Sequence, residues 1–519
     1  MFRSVMTVGG WTMVSRVLGF ARDMLIAARL GTGPVADAFF VALRLPNLMR
    51  RLFGEGAFNA AFIPAFSGLL VTEGRAAARD LAERLALIMS LWLTTLAVLG
   101  IVFMPQVVSV IAPGFTRDPE KLALAVEMTR IIFPYLIFIC LAALVSGVLN
   151  ALDRFAAAAA APVLFNLMAM AALLGLTPYV ATPGHALAWG IMASGAVQLG
   201  LVWFAARHAG MALNPLHRPR LTPPVVLVLR RMVPGMLGAG VTQINLAMDT
   251  IIASFLVSGS VSYLYYADRV AQLPLGVIGA AVGTALLPLL ARQLRSGQRL
   301  SAHRSMNRAI ELSVLLTLPC AVGLGIAAQP IVAALFERGA FGADATAATA
   351  LALAAYAAGL PAFVMVKVLA PAYFARGDTR TPVKIGVCVI AFNLALNLVL
   401  MGPLAHVGVA ASTAISAWCN AAALALLLAR AGHLRLDRRC RRRLPRIVLA
   451  AATMGVAVAG LMELLTLRGP MLAAVLIAAG ALVYAGVAVA LGALRPRETL
   501  AMLRRPRAVQ ADQRPKGTT

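Results

Sequence analysis

Residues 84–115 read RLALIMSLWLTTLAVLGIVFMPQVVSVIAPGF, an apolar run that starts at an arginine and contains Pro105. Because about 20 apolar residues are enough for one helix to cross a bilayer, this run predicts a transmembrane helix. Residues 308–341 read RAIELSVLLTLPCAVGLGIAAQPIVAALFERGAF and place Pro330 opposite Pro105. The two stretches together predict a helical membrane protein with an internal repeat.

The rest of the chain has the same character. Of its 519 residues, 61% are hydrophobic and 13% are charged, and the mean hydropathy is +0.85. Soluble domains carry roughly 25% charged residues, so a soluble enzyme is excluded. We therefore predict an all-α polytopic membrane protein with about 14 transmembrane helices. The predicted spans are residues 4–30, 35–70, 85–112, 122–149, 159–178, 185–207, 225–257, 262–291, 309–335, 345–373, 383–402, 406–430, 445–466 and 470–494.

The basic residues are distributed unevenly between the two sides of these spans. If the N-terminus is cytoplasmic, the cytoplasmic loops, adjoining helix ends and both termini hold 33 of the 46 Lys and Arg, and the opposite loops hold four. The positive-inside rule therefore predicts cytoplasmic N- and C-termini. It also explains most of the net charge of +26 without a nucleic-acid partner. We expect the arginine block at 438–446 to contact anionic membrane lipids.

The internal repeat extends through most of the chain at a spacing of about 222 to 228 residues. Each copy has six spans, so both copies enter the membrane in the same direction and are expected to be related by an axis along the membrane normal. We predict two pseudo-symmetric six-helix bundles, 1–214 and 215–434, followed by spans 13 and 14 in 435–495 and a cytoplasmic basic tail, 496–519. Five matches carry this prediction: Pro105 with Pro330, Pro134 with Pro361, Asp153 with Asp378, Phe165-Asn166-Leu167 with Phe392-Asn393-Leu394, and ARHAG at 206–210 with LARAG at 428–432.

Two facing bundles of this kind are typical of transporters that bind substrate at the repeat interface. The first two spans hold six cations and three anions, although each costs about 2.5 to 3.5 kcal/mol near mid-bilayer. Pro46 and Pro64 predict that the second span is broken or bent where its arginines cluster. Guanidinium groups bind two oxygens of a phosphate or diphosphate at once, which favours an anionic substrate. The predicted binding residues are Arg16, Arg22, Arg44, Arg50 and Arg269, with Asp37, Glu55 and Asp268 as gating or orienting residues.

Two alternatives remain at the level of single residues. The arginines could instead cap helix ends and pair with Asp23, Asp37 and Glu55 in structural bridges. Asp249, Asn393 and Asn397 could hold a coupling Na⁺ or H⁺, or could form a polar contact between helices. The five cysteines are scattered and no paired Cys/His cluster or nucleotide-binding motif is present, so neither a metal centre nor enzymatic ATP hydrolysis is predicted.

Five motifs stand out along the chain. They are SRVLGFARDMLIAARLGTGPVADAFFVALRLPNLMRRLFGEGAFNAAFIP at 15–64, APGF at 112–115, NALDRF at 150–155, SGSVSYLYYADRVAQLPLGVIG at 258–279 and VKVLAPAYFARGDTRTPVKI at 366–385. Together they resemble the MurJ (MviN) family of lipid II flippases in the MOP exporter superfamily. The resemblance implies a flippase that carries the undecaprenyl-diphosphate-linked disaccharide-pentapeptide of peptidoglycan to the outer leaflet of the bacterial inner membrane. It suggests cell-wall synthesis proteins as further partners.

The same resemblance assigns roles to individual residues. The family's essential cavity arginines fall on Arg16, Arg22, Arg50 and Arg269, and its acidic partners fall on Asp37 and Glu55. Some members of the family have a lysine at the position of Arg44. The positive charge is therefore kept here, but the compact ammonium group is not. Spans 13 and 14 would form the groove for the lipid tail, and the sodium site of some members resembles the surroundings of Asp249.

The predicted function is therefore flipping of lipid II by alternating access, helped by the membrane potential, with no enzymatic activity. Three alternatives are kept. They are a flippase for another polyprenyl-linked glycan, a MATE-like cation-coupled exporter, and a membrane glycosyltransferase that acts on polyprenyl phosphates. The last requires catalytic carboxylates in a sizeable loop, whereas the longest loops here are short and basic.

Overall fold

The computed structural model describes residues 2–53, 57–214, 220–467 and 469–494, and these residues form α-helices, two short 3₁₀ turns and connecting loops without a strand. The predicted all-α class is confirmed. Within the described residues, nine helices are long and apolar enough to cross a membrane, so the count of fourteen stays a prediction. Glu55 and the tail 496–519 lie outside the described residues.

In the first half of the chain, proline residues set where several helices begin. Pro105 lies in the first turn of a new helix, so the predicted span 85–112 is divided at Phe103. In the second predicted span, one helix runs from Pro34 through Pro46 to Phe53 and another from Ala57 through Pro64 to Thr72, so the expected break at these prolines is not seen. The helices are α1 (Phe2–Leu30), α2 (Pro34–Phe53), α3 (Ala57–Thr72), α4 (Arg75–Val102), α5 (Met104–Ile111), α6 (Pro119–Ile132), α7 (Tyr135–Ala151), α8 (Phe155–Gly175) and α9 (Pro183–His208).

The second half repeats this pattern of division. A helix ends at Ile326 and the next begins at Ala328, as α4 ends and α5 begins around Phe103. The 51-residue helix is kinked at Ala405 (φ 47°, ψ −129°), which separates the two predicted spans 383–402 and 406–430. The helices are α10 (Pro223–Ser254), α11 (Ser260–Arg295), α12 (Arg299–Ile326), α13 (Ala328–Phe336), α14 (Ala343–Phe374), α15 (Arg380–Arg430), α16 (Arg438–Leu464) and α17 (Gly469–Ala490).

The chain forms two compact units that are not contiguous in sequence. Unit 1 comprises Met1–Ala267, Leu335–Ala352 and Ile390–Ser412, and unit 2 comprises Asp268–Ala334, Leu353–Val389 and Thr413–Thr519. The predicted domain boundaries at 214 and 434 were drawn from the repeat, and they stay a prediction.

Each unit has its own apolar core. In unit 1, Phe58, Phe62 and Phe66 of α3 pack with Leu81 and Leu85 of α4. In unit 2, Ile278 of α11, Val364 and Val368 of α14, Met306 of α12 and Leu424 of α15 belong to one buried cluster. Polar groups that lie inside either unit therefore need partners within it.

Candidate functional site

Asp37, in the first turn of α2, is the centre of a hydrogen-bond network in unit 1. Its side chain is buried, with 1% of its surface exposed. Its Oδ2 accepts hydrogen bonds from Lys121 Nζ at 2.7 Å and from the backbone N–H of Gly259 at 2.7 Å. Its Oδ1 accepts from the backbone N–H of Ser262 at 2.9 Å and from Ser262 Oγ at 2.6 Å. One carboxylate thus ties α2 to α6 and to the first turn of α11.

Lys121, the cation of this network, is also buried. Its Nζ lies 4.4 Å from the centroid of the Phe115 ring and donates to Ser258 Oγ at 3.3 Å. The sequence showed Lys121 only as one of four basic residues on the outer side, and no local signal identified its partner. A buried ion pair of this kind is costly to break, because either charge alone would remain in an apolar surrounding.

The loops around this network approach one another very closely. Gly31 has a φ of +62°, and a Cβ at this position would lie 2.3 Å from the carbonyl oxygen of Ala340. The backbone N–H of Ala340 donates to the carbonyl of Ala28 at 2.9 Å, and Tyr266 Oη donates to the carbonyl of Gly31 at 3.2 Å. Gly114 N–H donates to Ser254 Oγ at 3.0 Å. This face of unit 1, which we call the Asp37 face, is therefore closed by backbone contacts as well as by the ion pair.

Arg22 lies on α1 with its guanidinium group largely enclosed, at 12% side-chain exposure. Its Nη2 and Nε donate to Asp23 Oδ1 at 2.7 and 3.1 Å, and its Nη1 donates to Asn166 Oδ1 at 2.9 Å. Its Cζ lies 5.2 Å from the centroid of the Phe165 ring. These bonds use three of the five N–H groups of a guanidinium. They hold the charge in a fixed orientation.

Asp249, Asn393 and Asn397, the predicted cation site, lie together in unit 1. Asn397 Nδ2 donates to Asp249 Oδ1 at 3.2 Å and to Asn393 Oδ1 at 3.1 Å. Ser412 Oγ donates to Asn397 Oδ1. Both asparagines and the serine are at most 1% exposed. The arrangement offers one carboxylate and amide oxygens, which suit Na⁺ chemically, but it also satisfies a polar contact between helices.

The remaining predicted residues are placed as follows. Arg16 is exposed on α1, and Arg44 and Arg50 are half-buried on α2. Asp268 and Arg269 are half-buried on α11 in unit 2, where Asp268 accepts a hydrogen bond from Gln272 Nε2. The assignment of the five arginines to one binding site stays a prediction.

Comparison with known proteins identifies the family of this chain. A family described as "Lipid II flippase MurJ" matches residues 26–479. A curated protein from Rhizobium meliloti (strain 1021), "Probable lipid II flippase MurJ", is 45% identical over 456 residues, which cover 87% of this chain and 85% of that protein.

Two solved structures share the fold. "Lipid II flippase MurJ, inward closed conformation" superposes with a TM-score of 0.79 at 24% identity and covers 95% of this chain and 99% of that one. An "inward-facing conformation of a multidrug resistance MATE family transporter of the MOP superfamily" superposes with a TM-score of 0.68 at 15% identity over 82% of this chain and 98% of the other. The helices described above therefore share the fold of these two structures.

Proposed function

This chain belongs to the lipid II flippase MurJ family, and from that membership we propose that it carries lipid II from the inner to the outer leaflet of the bacterial cytoplasmic membrane by alternating access. The family is one of transporters rather than of enzymes. Nine described helices that can span a membrane support a multi-pass protein. The orientation with both termini in the cytoplasm rests on the distribution of basic residues.

The Asp37 face is the observation that carries the alternating-access proposal. The orientation inferred from the basic residues places this face on the outer side of the membrane, and the hydrogen bonds of Asp37 and Ala340 close it. A carrier of this type needs one side closed while the other admits substrate, and the closure must be reversible. Asp37 and Ala340 make five hydrogen bonds, one of which is also the ion pair, and these bonds join helix ends and adjoining loops, so they can be exchanged without unfolding a helix.

Arginine side chains are proposed to bind the diphosphate of lipid II. Arg22 supports this role because Asp23 and Asn166 fix its guanidinium in one orientation while two of its N–H groups are not used in these bonds. A guanidinium held in this way loses less rotamer entropy when it binds an oxyanion. Outward movement of the anionic headgroup is also favoured by an inside-negative potential, by about 2.3 kcal/mol per charge per 100 mV.

The repeat supplies an argument for cation coupling at Asp249. Asn166 and Asn393 are matched positions of the two halves, and each lies in a network with one aspartate of the helix that begins its half, Asp23 or Asp249. In the first half a guanidinium, Arg22, lies between the aspartate and the asparagine. We propose that Asp249, together with the amide oxygens of Asn393 and Asn397, binds an exchangeable Na⁺ or H⁺.

The direct test of the flippase proposal uses protein reconstituted into vesicles that contain fluorescent lipid II. Wild-type protein is expected to move lipid II between leaflets faster than protein-free vesicles do. Arg22→Ala should reduce the rate at least tenfold, because a hydrogen bond to a charged group contributes about 1.5 to 3 kcal/mol. Arg295→Ala, which removes an exposed arginine at the end of α11, is the matched control and should have little effect. Equal rates for wild-type and protein-free vesicles would refute the proposal.

Export of a small cation is the second candidate, because the MATE structure shares the fold. The charge of the transported substrate distinguishes this candidate from the flipping of lipid II. Efflux of a cationic dye that persists in Arg22→Ala and Arg269→Ala would support this alternative, and dye efflux that is absent in the wild type would remove it.

A further inference from the structure

Lys367 is a cation of α14 for which the described part of the chain supplies no ion pair or hydrogen bond. It belongs to unit 2, lies seven residues before the end of a helix that can span the membrane, and is exposed. A charged group in such a segment is costly unless it meets water, a partner or a ligand. Only four lysines occur in the chain against 42 arginines, so this position uses the rarer cation.

The stem of Lys367 is held against the backbone of α11. A Cβ at Gly279 would lie 2.9 Å from Lys367 Cδ and 3.0 Å from its Nζ. Around this contact, Ile278 of α11 and Val364 and Val368 of α14 are buried in the core of unit 2. Helical side chains point toward the N-terminus of their own helix, so Lys367 is directed away from the nearer end of α14 at Phe374. The side chain is therefore not extended toward the nearer membrane surface.

Arg269 lies on the same helix as Gly279, ten residues earlier. At 1.5 Å per residue, the two levels of α11 are about 15 Å apart. A diphosphate is too short to reach both cations. Two separate anionic groups on one substrate, or two different ligands, are needed to engage them together.

We propose that Lys367 binds a carboxylate of the peptide of lipid II, while Arg269 binds its diphosphate. This inference rests on the proposed function. The peptide ends in a carboxylate, and the disaccharide separates the peptide from the diphosphate. An ammonium on a flexible stem offers three donors from one point and suits a single mobile carboxylate, whereas a guanidinium suits the two-oxygen edge of a phosphate. Gly279 leaves the space in which the stem of Lys367 lies.

The experiment measures binding of three ligands to the purified full-length protein. The ligands are lipid II with free peptide carboxylates, the same molecule with those carboxylates converted to carboxamides, and undecaprenyl diphosphate. Lys367→Met is expected to weaken binding of the first ligand about tenfold and to leave the other two unchanged. Lys367→Arg, which keeps the charge, should restore most of the affinity. Gly279→Ala, which displaces the ammonium, should weaken binding of the first ligand only.

Lys384→Met is the matched control, since it makes the same change at an exposed lysine of α15, and it should not alter any of the three affinities. Arg269→Ala should weaken the binding of all three ligands, because each of them carries the diphosphate. An equal loss for lipid II and undecaprenyl diphosphate in Lys367→Met would show a phosphate contact and overturn the inference, as would no loss at all. Both results would leave the proposed function intact, whereas a wild-type protein that binds none of the three ligands would refute that function itself.

Discussion

At the scale of single residues, Asp37 offers the sharpest test of the closed face. Asp37→Asn keeps the size of the side chain but leaves Lys121 as a buried, unpaired charge. We expect the free energy of unfolding in detergent to fall by about 3 to 5 kcal/mol, the cost of breaking a buried pair. Denaturant titration measures this change.

The control for Asp37→Asn is Glu120→Gln, which makes the same chemical change one residue from Lys121 at an exposed position. It should alter the unfolding free energy by less than about 0.5 kcal/mol. Equal effects of the two substitutions would show that the Asp37–Lys121 pair does not hold this face closed. Lys121→Met combined with Asp37→Asn should recover part of the loss, because no charge then remains unpaired.

Individual residues also show what sequence could and could not provide. Isolated polarity in apolar spans groups Asp249, Asn393 and Asn397, and hydrogen bonds join them in the structure, because polar side chains in a membrane tend to bond to one another. Their role as a cation site stays a prediction. The sequence marks Asn166 only as part of a repeated triplet, although its Oδ1 accepts a hydrogen bond from Arg22. It lies 144 positions from Arg22 in the chain, and only the packing of α1 on α8 brings the two side chains together.

At the scale of elements, one buried glutamate contributes to the attachment of α16 to α12 beside the apolar packing of these helices. Glu311 of α12 is 6% exposed and pairs with Arg443 and Arg308, with Arg439 Nε at 3.6 Å. Asp437 caps α16 through the N–H of Cys440 and also pairs with Arg308. Two residues of the arginine block, Arg439 and Arg443, therefore help to fix the start of α16.

Glu311→Gln is expected to loosen this attachment. The amide cannot compensate Arg443, which is 7% exposed, so the first turns of α16 should exchange their amide hydrogens at least tenfold faster. Hydrogen exchange read out by mass spectrometry over residues 438–447 measures this. Asp80→Asn is the control, since Asp80 forms an i,i+4 pair with Arg84 at 40% side-chain exposure, and such pairs contribute little. Unchanged exchange in Glu311→Gln would contradict the role given to this residue.

Helix breaks were less well predicted by sequence than the helices themselves. Pro105 marks the repeat inside one predicted span, 85–112, whereas in the structure it lies in the first turn of a new helix. Pro46 and Pro64 predict a break or bend in the second span, yet both lie inside helices, because a helix can continue through a proline when other groups satisfy the freed carbonyl. The kink at Ala405 was anticipated only as the boundary between two spans. Its positive φ has no local signal, because alanine has no preference for that conformation.

At the scale of the whole molecule, the repeat and the charge distribution gave the helix order and the predicted orientation, because both are properties of the entire chain. The two compact units could not be predicted in this way. Residues 335–352 and 390–412 join unit 1 although they follow residues of unit 2 in sequence, since packing and not chain order decides the units. Repeat boundaries mark related segments, whereas compact units mark where contacts are dense.

Cation coupling is a property of the whole transport cycle and is tested at Asp249. In vesicles held at zero membrane potential, an imposed Na⁺ or pH gradient is expected to change the rate of lipid II movement by wild-type protein. Asp249→Asn should remove this response while it leaves downhill movement measurable, because the amide keeps a hydrogen-bonding group beside Asn397 but no longer carries the charge that a cation compensates. Asn393→Ser, which shortens the neighbouring amide, should weaken the response without abolishing it. A response that is the same in wild type and Asp249→Asn would locate coupling at another site. A wild-type rate that neither gradient changes would leave the membrane potential as the driving force.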